Sequence, residues 1–476
     1  MTQKPLWTAQ DAADATDGQV SGSWAATGVS IDSRTLEPGD LFIALKGPNF
    51  DGHTFIAEAL AKGAAAVVSE SLPEGMADNT SALLVPDTFK ALQDLGEAGR
   101  ARSQATVIAV TGSVGKTGTK EALQTCLGFQ APTHASVGSF NNQWGVPLSL
   151  ARLPQEAGYA IFELGMNHPG EIGPLSRMVQ PDVAVITAIE AAHTEFFKSL
   201  AEIADAKAEI FDGLRPGGAA VLPRDNPHYG QLVSRAEAAG VARVVSFGHD
   251  TSADARLLEC EVHPDKSEVT AEVAGKPYSF TIAVPGMHWV SNALAVLAAV
   301  HAVGGDVWLA SQALARLTPP AGRGEQTIVR LPGGPFAVVD ETYNASPSSV
   351  RAALAVLGNS EVGQGGRRIA VLGDMRELGI NSAIEHSALL DVLKAEGIDL
   401  VFTCGPEIKV LADVLPESLH GGHREDSVSL AELVAQDICP GDVVLVKGSK
   451  AVRMGRVLEA LHNLNREARN SAANER

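Results

Sequence analysis

Val107-Ile108-Ala109-Val110-Thr111-Gly112-Ser113-Val114-Gly115-Lys116-Thr117 decides how this chain folds. Four apolar residues read as a buried strand, the glycine-rich segment as a turn, and the residues after Thr117 as a helix. In that order the segment is a phosphate cradle. Gly112 and Gly115 let the backbone turn tightly and aim its N–H groups inward, with Thr111, Ser113 and Val114 completing the loop. Lys116 brings a positive charge to the outer phosphates, and Thr117 brings a hydroxyl for Mg²⁺. The expected ligand is a nucleoside triphosphate. The general pattern G-x-x-x-x-G-K-[ST] is met except at its first glycine, where Val110 stands.

The rhythm around this loop is that of an α/β protein. Strand candidates at 107–110, 159–164, 183–189 and 219–222 alternate with helical patterns, which implies a mostly parallel sheet. The first hundred residues mix short apolar runs and turns with a helix pattern at 55–62, as in a small α/β unit ending near residue 104. Leu317-Thr318-Pro319-Pro320-Ala321-Gly322-Arg323-Gly324-Glu325 breaks regular structure and suits a hinge. Beyond it, 336–340, 368–373, 400–403 and 442–446 read as the parallel strands of a Rossmann-like unit. Three domains follow, at 1–104, 105–320 and 321–476. The polar tail after Leu464 is expected to be disordered.

Composition bounds the partners. With 45% hydrophobic and 20% charged residues in 476, the chain is long enough for several cores. A net charge of -19 argues against a nucleic-acid backbone as partner, which calls for a basic surface. The four cysteines are widely spaced and form no C-x-x-C pair, so a reducing cytoplasm is expected. No run reaches the roughly 20 apolar residues of a membrane span.

Several side chains sit where pattern alone would not place them. Glu163 ends an apolar strand, where an unpaired carboxylate is costly to bury; a Mg²⁺ shared with Thr117 would compensate it. His193 follows the strand candidate at 183–189. Lys207 falls on the apolar stripe of its helix, spaced three or four residues from Ile203 and Ile210. It either snorkels its ammonium to the edge or has a lowered pKa that frees the amine for modification. Asn292, at the entrance to an alanine-rich helix, can read a base edge with its paired donor and acceptor. Arg323 in the hinge can reach a bound phosphate when the last domain closes. Asp340 and Asn344 lie at the carboxyl end of a strand, where ligands bind in such sheets.

Taken together, these motifs resemble the Mur ligases. The segments that carry the resemblance are the loop at 111–117; Glu163-Leu164-Gly165-Met166-Asn167-His168-Pro169-Gly170-Glu171-Ile172; the His193 and Lys207 pair; Gly286 to Asn292; and Asp340-Glu341-Thr342-Tyr343-Asn344-Ala345. Ile31-Asp32-Ser33-Arg34, Pro38-Gly39-Asp40-Leu41-Phe42 and Asp51-Gly52-His53 extend it to the N-terminus.

The resemblance implies a uridine-nucleotide domain, a central ATPase and a C-terminal domain for an incoming amine. It implies ATP and Mg²⁺ as cofactors, with Thr117, Glu163 and His193 on the metal. Asn292 and Asp340 are expected on adenosine, and Lys207 is expected as a carbamate. Lys116, Lys207, His193 and Arg323 are then the catalytic set, and Ser33, Arg34, Asn141, Asn142, Tyr343 and Asn344 contact substrate. Within the family, Glu-Leu-Gly-Met-Asn-His and the lack of an Asp-Asn-Pro-Arg motif point to dipeptide addition. The implied partners are UDP-N-acetylmuramoyl-tripeptide and D-alanyl-D-alanine, joined through an acyl phosphate by a cytoplasmic monomer. At 447–450 the family's Lys-Gly-Ser-Arg appears as Lys-Gly-Ser-Lys. A folylpolyglutamate-type ligase and an ATP-gated module that ligates nothing remain as alternatives.

Overall fold

The computed structural model describes residues 4–47, 50–76, 79–191 and 195–474, the last nine as backbone only. Beside a two-stranded antiparallel sheet of Trp7–Thr8 and Ala25–Ala26, three larger sheets follow one another along the chain. The first has five strands in the order Gln19–Ser21, Ala82–Leu84, Ala66–Ser69, Asp40–Ile43, Gly28–Ser30; all but its first pair are parallel.

The second sheet has nine strands, and the strand read as entering the phosphate loop, Thr106–Thr111, lies inside it. It pairs in parallel with Tyr159–Glu163 on one side and Val183–Ile186 on the other. Both faces of these strands are covered, which is why they read as continuous apolar runs. Ile108, Val110, Ile161 and Val185 pack against Leu123, Leu127, Val290, Leu294 and Leu297. Val107, Ala109, Phe162 and Ile186 pack on the other face with Val146, Leu150, Ile172, Leu175 and Ile203.

The third sheet has six strands in the order Glu325–Leu331, Gly334–Glu341, Val443–Lys447, Arg368–Gly373, Leu400–Cys404, His420–Arg424, with only the first pair antiparallel. The expected α/β class with parallel-rich sheets is therefore the observed one.

Three details differ from the sequence reading. The strand expected at 183–189 stops at Ile186, because Thr187 turns its hydroxyl to the carbonyls of Thr111 and Val114. The parallel sheet is extended by Ala255–Val262, Ser267–Val273 and Lys276–Ile282, whose two junctions are antiparallel. The tail expected to be disordered belongs to the helix Gly455–Asn474; its alanines, glutamate and arginines favour helix and nothing in it breaks one. No helix among the described residues is long and apolar enough to cross a membrane.

Candidate active site

Parallel strands place their carboxyl ends together, so Thr111, Glu163 and Thr187 arrive at one edge of the second sheet although they are far apart in sequence. The phosphate loop is fastened to that edge. Ser113 N donates to the Ala188 carbonyl at 2.9 Å, and its hydroxyl donates to the Glu190 carbonyl at 3.0 Å. Thr111 Oγ1 donates to the Leu164 carbonyl at 2.8 Å. Gly112, at φ +148°, is needed because a Cβ there would run into the Thr187 hydroxyl.

Gly115 precedes the helix Lys116–Gly128 at φ +83°, where a Cβ would lie 2.6 Å from Asn292 Oδ1. Glycine thus lets Asn292 of the helix Met287–Ala302 abut the loop. It also supplies no capping side chain, so the first N–H groups of the helix remain open to an anion. The Lys116 ammonium curls back on the loop, donating to the Gly112 carbonyl at 2.7 Å and that of Ser113 at 3.3 Å. Burial lowers its pKa below the usual lysine value, Glu163 opposes this, and the charge of Arg323 adds to it.

Glu163 is 1% exposed. Its Oε2 accepts from Thr117 Oγ1 at 2.8 Å and its Oε1 from Asn141 Nδ2 at 2.7 Å. Both donors are neutral. Among the described residues no cation lies within ion-pair distance of this buried carboxylate, so its charge lacks the direct partner that buried charges ordinarily have. Ser139 Oγ stands 3.4 Å from Thr117 Oγ1 on the same side.

Lys207, on the helix Leu200–Ala208, is also 1% exposed. Burial holds its pKa well below the usual lysine value, and repulsion by Lys116 adds to this. Glu209, two residues on, pulls the other way without outweighing burial. Its carboxylate accepts the N–H groups of Gly170, Ile172 and Gly173 at 2.7 to 3.1 Å, closing the start of the helix Ile172–Val179. The snorkelling reading of Lys207 fails here; the ammonium form is disfavoured instead.

A cavity of about 1560 Å³ runs over this edge. Its walls include Ser113 to Gly118, Ser139, Asn141, Asn142, Glu163 and Asn292, and from the third sheet Arg323, Glu341, Tyr343, Asn344 and Lys447. That exceeds the roughly 300–1,000 Å³ of a single small-molecule pocket, so more than one reactant can be seated. Arg323 stacks over the Tyr343 ring, 4.1 Å from its centroid. Lys447 is almost wholly buried, bonded to Glu341 Oε2 at 3.0 Å and the Asn344 carbonyl at 2.9 Å.

Other expected residues sit differently. Asp340 Oδ1 accepts from the Thr342 N–H and hydroxyl, and the residue is not a wall of the cavity. Lys207 is likewise behind the wall. Ser33 and Arg34 follow the strand Gly28–Ser30 in the first sheet; Lys62 donates to the Ser33 carbonyl and Arg34 pairs with Asp32. Asn142 Oδ1 accepts from Trp144 N and Gly145 N at the start of the helix Gly145–Ala151. His193 lies outside the described residues.

Sequence reasoning missed three residues. Thr187 and Glu209 act through hydrogen bonds to distant backbone, which leave no local trace. Lys120 is 0% exposed, and its spacing of four from Lys116 on one helix was a signal that could have found it.

Family models match the chain in three stretches: the Mur ligase family catalytic domain at 25–100, the Mur ligase middle domain at 110–300, and the Mur ligase glutamate ligase domain at 322–450. The UDP-N-acetylmuramoyl-tripeptide--D-alanyl-D-alanine ligase of Rickettsia prowazekii is 34% identical over 454 residues, 95% of this chain and 99% of that protein. The Bacillus subtilis ligase of the same name is 33% identical over 437 residues, covering 91% and 93%. Among solved structures, MurF from Acinetobacter baumannii superposes with a TM-score of 0.82 at 31% identity, over 97% of this chain and 100% of the other. MurF ligase from Thermotoga maritima in complex with ADP gives 0.74 at 29% identity, over 92% and 98%.

Proposed function

This chain belongs to the Mur ligase family, and from that premise we propose that it joins D-alanyl-D-alanine to UDP-N-acetylmuramoyl-tripeptide using ATP. The observation that carries this reading is the cluster of Lys116, Thr117, Asn141 and Glu163 at the carboxyl edge of the second sheet, backed by the buried Lys207. The extent of the likeness to ligases of that name supports the substrate choice over a folylpolyglutamate-type reaction. The carboxylate of the acceptor peptide attacks the γ-phosphorus and ADP departs. The dipeptide amine then attacks the acyl carbon, the carbon–oxygen bond breaks, and phosphate leaves as the amine loses a proton.

The chain's own groups fit these steps. The open N–H groups after Gly115 receive phosphate oxygens. Lys116 exchanges its two loop carbonyls for the triphosphate, and Arg323 meets the transferred charge from the other side of the cavity. Thr117, Glu163 and the expected His193 would hold Mg²⁺; the oxygen donors of Thr117 and Glu163, and a buried carboxylate with no cation beside it among the described residues, fit that ion. When bound, the metal neutralises developing phosphate charge. Lys207, its pKa held well below the usual lysine value by burial, is suited to add to CO₂ with loss of a proton, giving a carbamate beside the Lys116 charge. Asn292 is placed against the loop for the adenosine end.

In this reading 1–104 binds the uridine nucleotide, 105–320 binds ATP and 321–476 the incoming dipeptide, a division supported by the three sheets and the matched stretches. In this reading the enzyme works as a monomer in the cytoplasm, where ATP and a nucleotide-linked substrate are both available. Incubation with ATP, Mg²⁺ and both substrates tests the reading. Pentapeptide and phosphate forming in step are expected; nucleotide binding without dipeptide-dependent turnover would instead make it a binding module.

A further inference from the structure

We infer that Lys120 is a positioning residue for the metal site, clamping the loop that carries Ser139 and Asn141 onto the helix that carries Lys116 and Thr117. Its side chain is 0% exposed. A lysine is almost never so buried unless every proton is answered. Here all three are: Nζ donates to the Ser136 carbonyl at 2.5 Å and the Gly138 carbonyl at 2.8 Å, and Glu121 Oε1 lies at 2.6 Å.

The two carbonyls belong to the segment between the strand Thr133–Ala135 and the helix Gly145–Ala151. That segment reaches the site within three residues of the clamp. Ser139 Oγ is 3.4 Å from Thr117 Oγ1, and Asn141 Nδ2 donates to Glu163 Oε1 at 2.7 Å. Asn141 also takes the Gly165 N–H on its carbonyl at 2.8 Å, holding the far end of the strand that bears Glu163. The two sides of the buried carboxylate therefore come from two elements, Thr117 from the helix and Asn141 from the loop. Gly138 has φ +52°, a left-handed turn at the clamped position itself. Lys120 fixes this turn from beneath without touching the cavity, of which it is not a wall.

The inference rests on the ligase reading for the identity of the ion, and its test has a readout besides turnover. Mn²⁺, which shares oxygen ligands with Mg²⁺, is titrated by electron paramagnetic resonance into ADP-loaded wild type, Lys120→Met, Asn141→Ala and the double variant. Loss of an outer partner of a metal ligand costs about tenfold to a hundredfold in affinity, so each single variant is expected to raise the Mn²⁺ Kd by that range. In Lys120→Met, which removes no wall of the cavity, metal-free ADP binding is expected to stay unchanged, because the Lys116 loop keeps its own fastenings. Acting through one loop, the two changes combine to less than the product of their effects.

A Mn²⁺ Kd within about twofold of wild type in folded Lys120→Met, or fully multiplicative effects in the double variant, overturns the inference. Lys120→Gln, whose amide NH₂ can still donate to the loop, stands in if Lys120→Met does not fold. Failure of both to fold also overturns it, since Lys120 is then a residue of stability first. Wild type that binds no Mn²⁺ at all refutes the ligase reading instead, so the two failures are distinct.

Discussion

Glu163→Gln separates the cost of a buried charge from its use. In the free protein the carboxylate has two hydrogen bonds, at 2.8 and 2.7 Å. At about 1.5–3 kcal/mol for a bond to a charged group these return about 3–6 kcal/mol. Taking the carboxylate out of water costs several kcal/mol, on the order of the same sum. Glutamine keeps the shape and both partners, turning its carbonyl to Asn141 and its amide to the Thr117 oxygen. Free-protein stability should therefore move by no more than about 1 kcal/mol, a shift of a few degrees in melting temperature.

The loss appears only with metal. Removing an anionic ligand should cost at least the roughly hundredfold at the upper end of outer-partner effects, or about 2.8 kcal/mol. The assay is turnover against Mg²⁺ concentration, with calorimetric melting of the free protein as control. Turnover within about threefold of wild type, with unchanged half-saturating Mg²⁺, would refute Glu163 as a metal ligand, because about threefold is well under 1 kcal/mol.

Lys207→Met tests the buried amine through pH. The unfolded chain binds a proton there below about 10.5, whereas the folded chain does so only at a much lower pH, so wild-type stability rises with pH across that window. In CO₂-free buffer Lys207→Met should be the more stable protein at neutral pH, the gap closing as pH approaches 10.5; a pH-independent gap in urea midpoints contradicts the assignment. Gly115→Ala, at φ +83° and against Asn292, should lose about 1–3 kcal/mol from strain and lose nucleotide binding, and wild-type ADP affinity by calorimetry would refute it. Arg323→Lys keeps charge but not the planar stack on Tyr343, so kcat should fall roughly tenfold or more with little change in ADP affinity; equal loss in both would make Arg323 a plain binding residue.

Local patterns made much of the site readable. The strand, turn and helix at 107–117 announce themselves by short-range order, and Lys207 by a charge at the wrong place on a helical stripe. Glu163 was legible because it interrupts a run that both faces of a parallel sheet require to be apolar. What could not be read were partnerships set by strand neighbours. Asn141 was expected on substrate, yet its side chain holds Glu163, a contact made only because Thr133–Ala135 pairs with Tyr159–Glu163 in parallel. Asp340 was expected on adenosine from the family resemblance; the bonds its Oδ1 accepts from Thr342 in the free protein were not foreseen. The antiparallel extension was missed although Ser267–Val273 alternates buried and open positions, because the parallel rhythm of the central strands was carried across it.

Activation of a carboxylate by phosphoryl transfer is the central step, and heavy-oxygen labelling of the acceptor peptide's reacting carboxylate tests it directly. If an acyl phosphate forms, the bridging oxygen leaves with phosphorus, and mass spectrometry finds one labelled oxygen in each phosphate released. Unlabelled phosphate accompanying amide formation would contradict it.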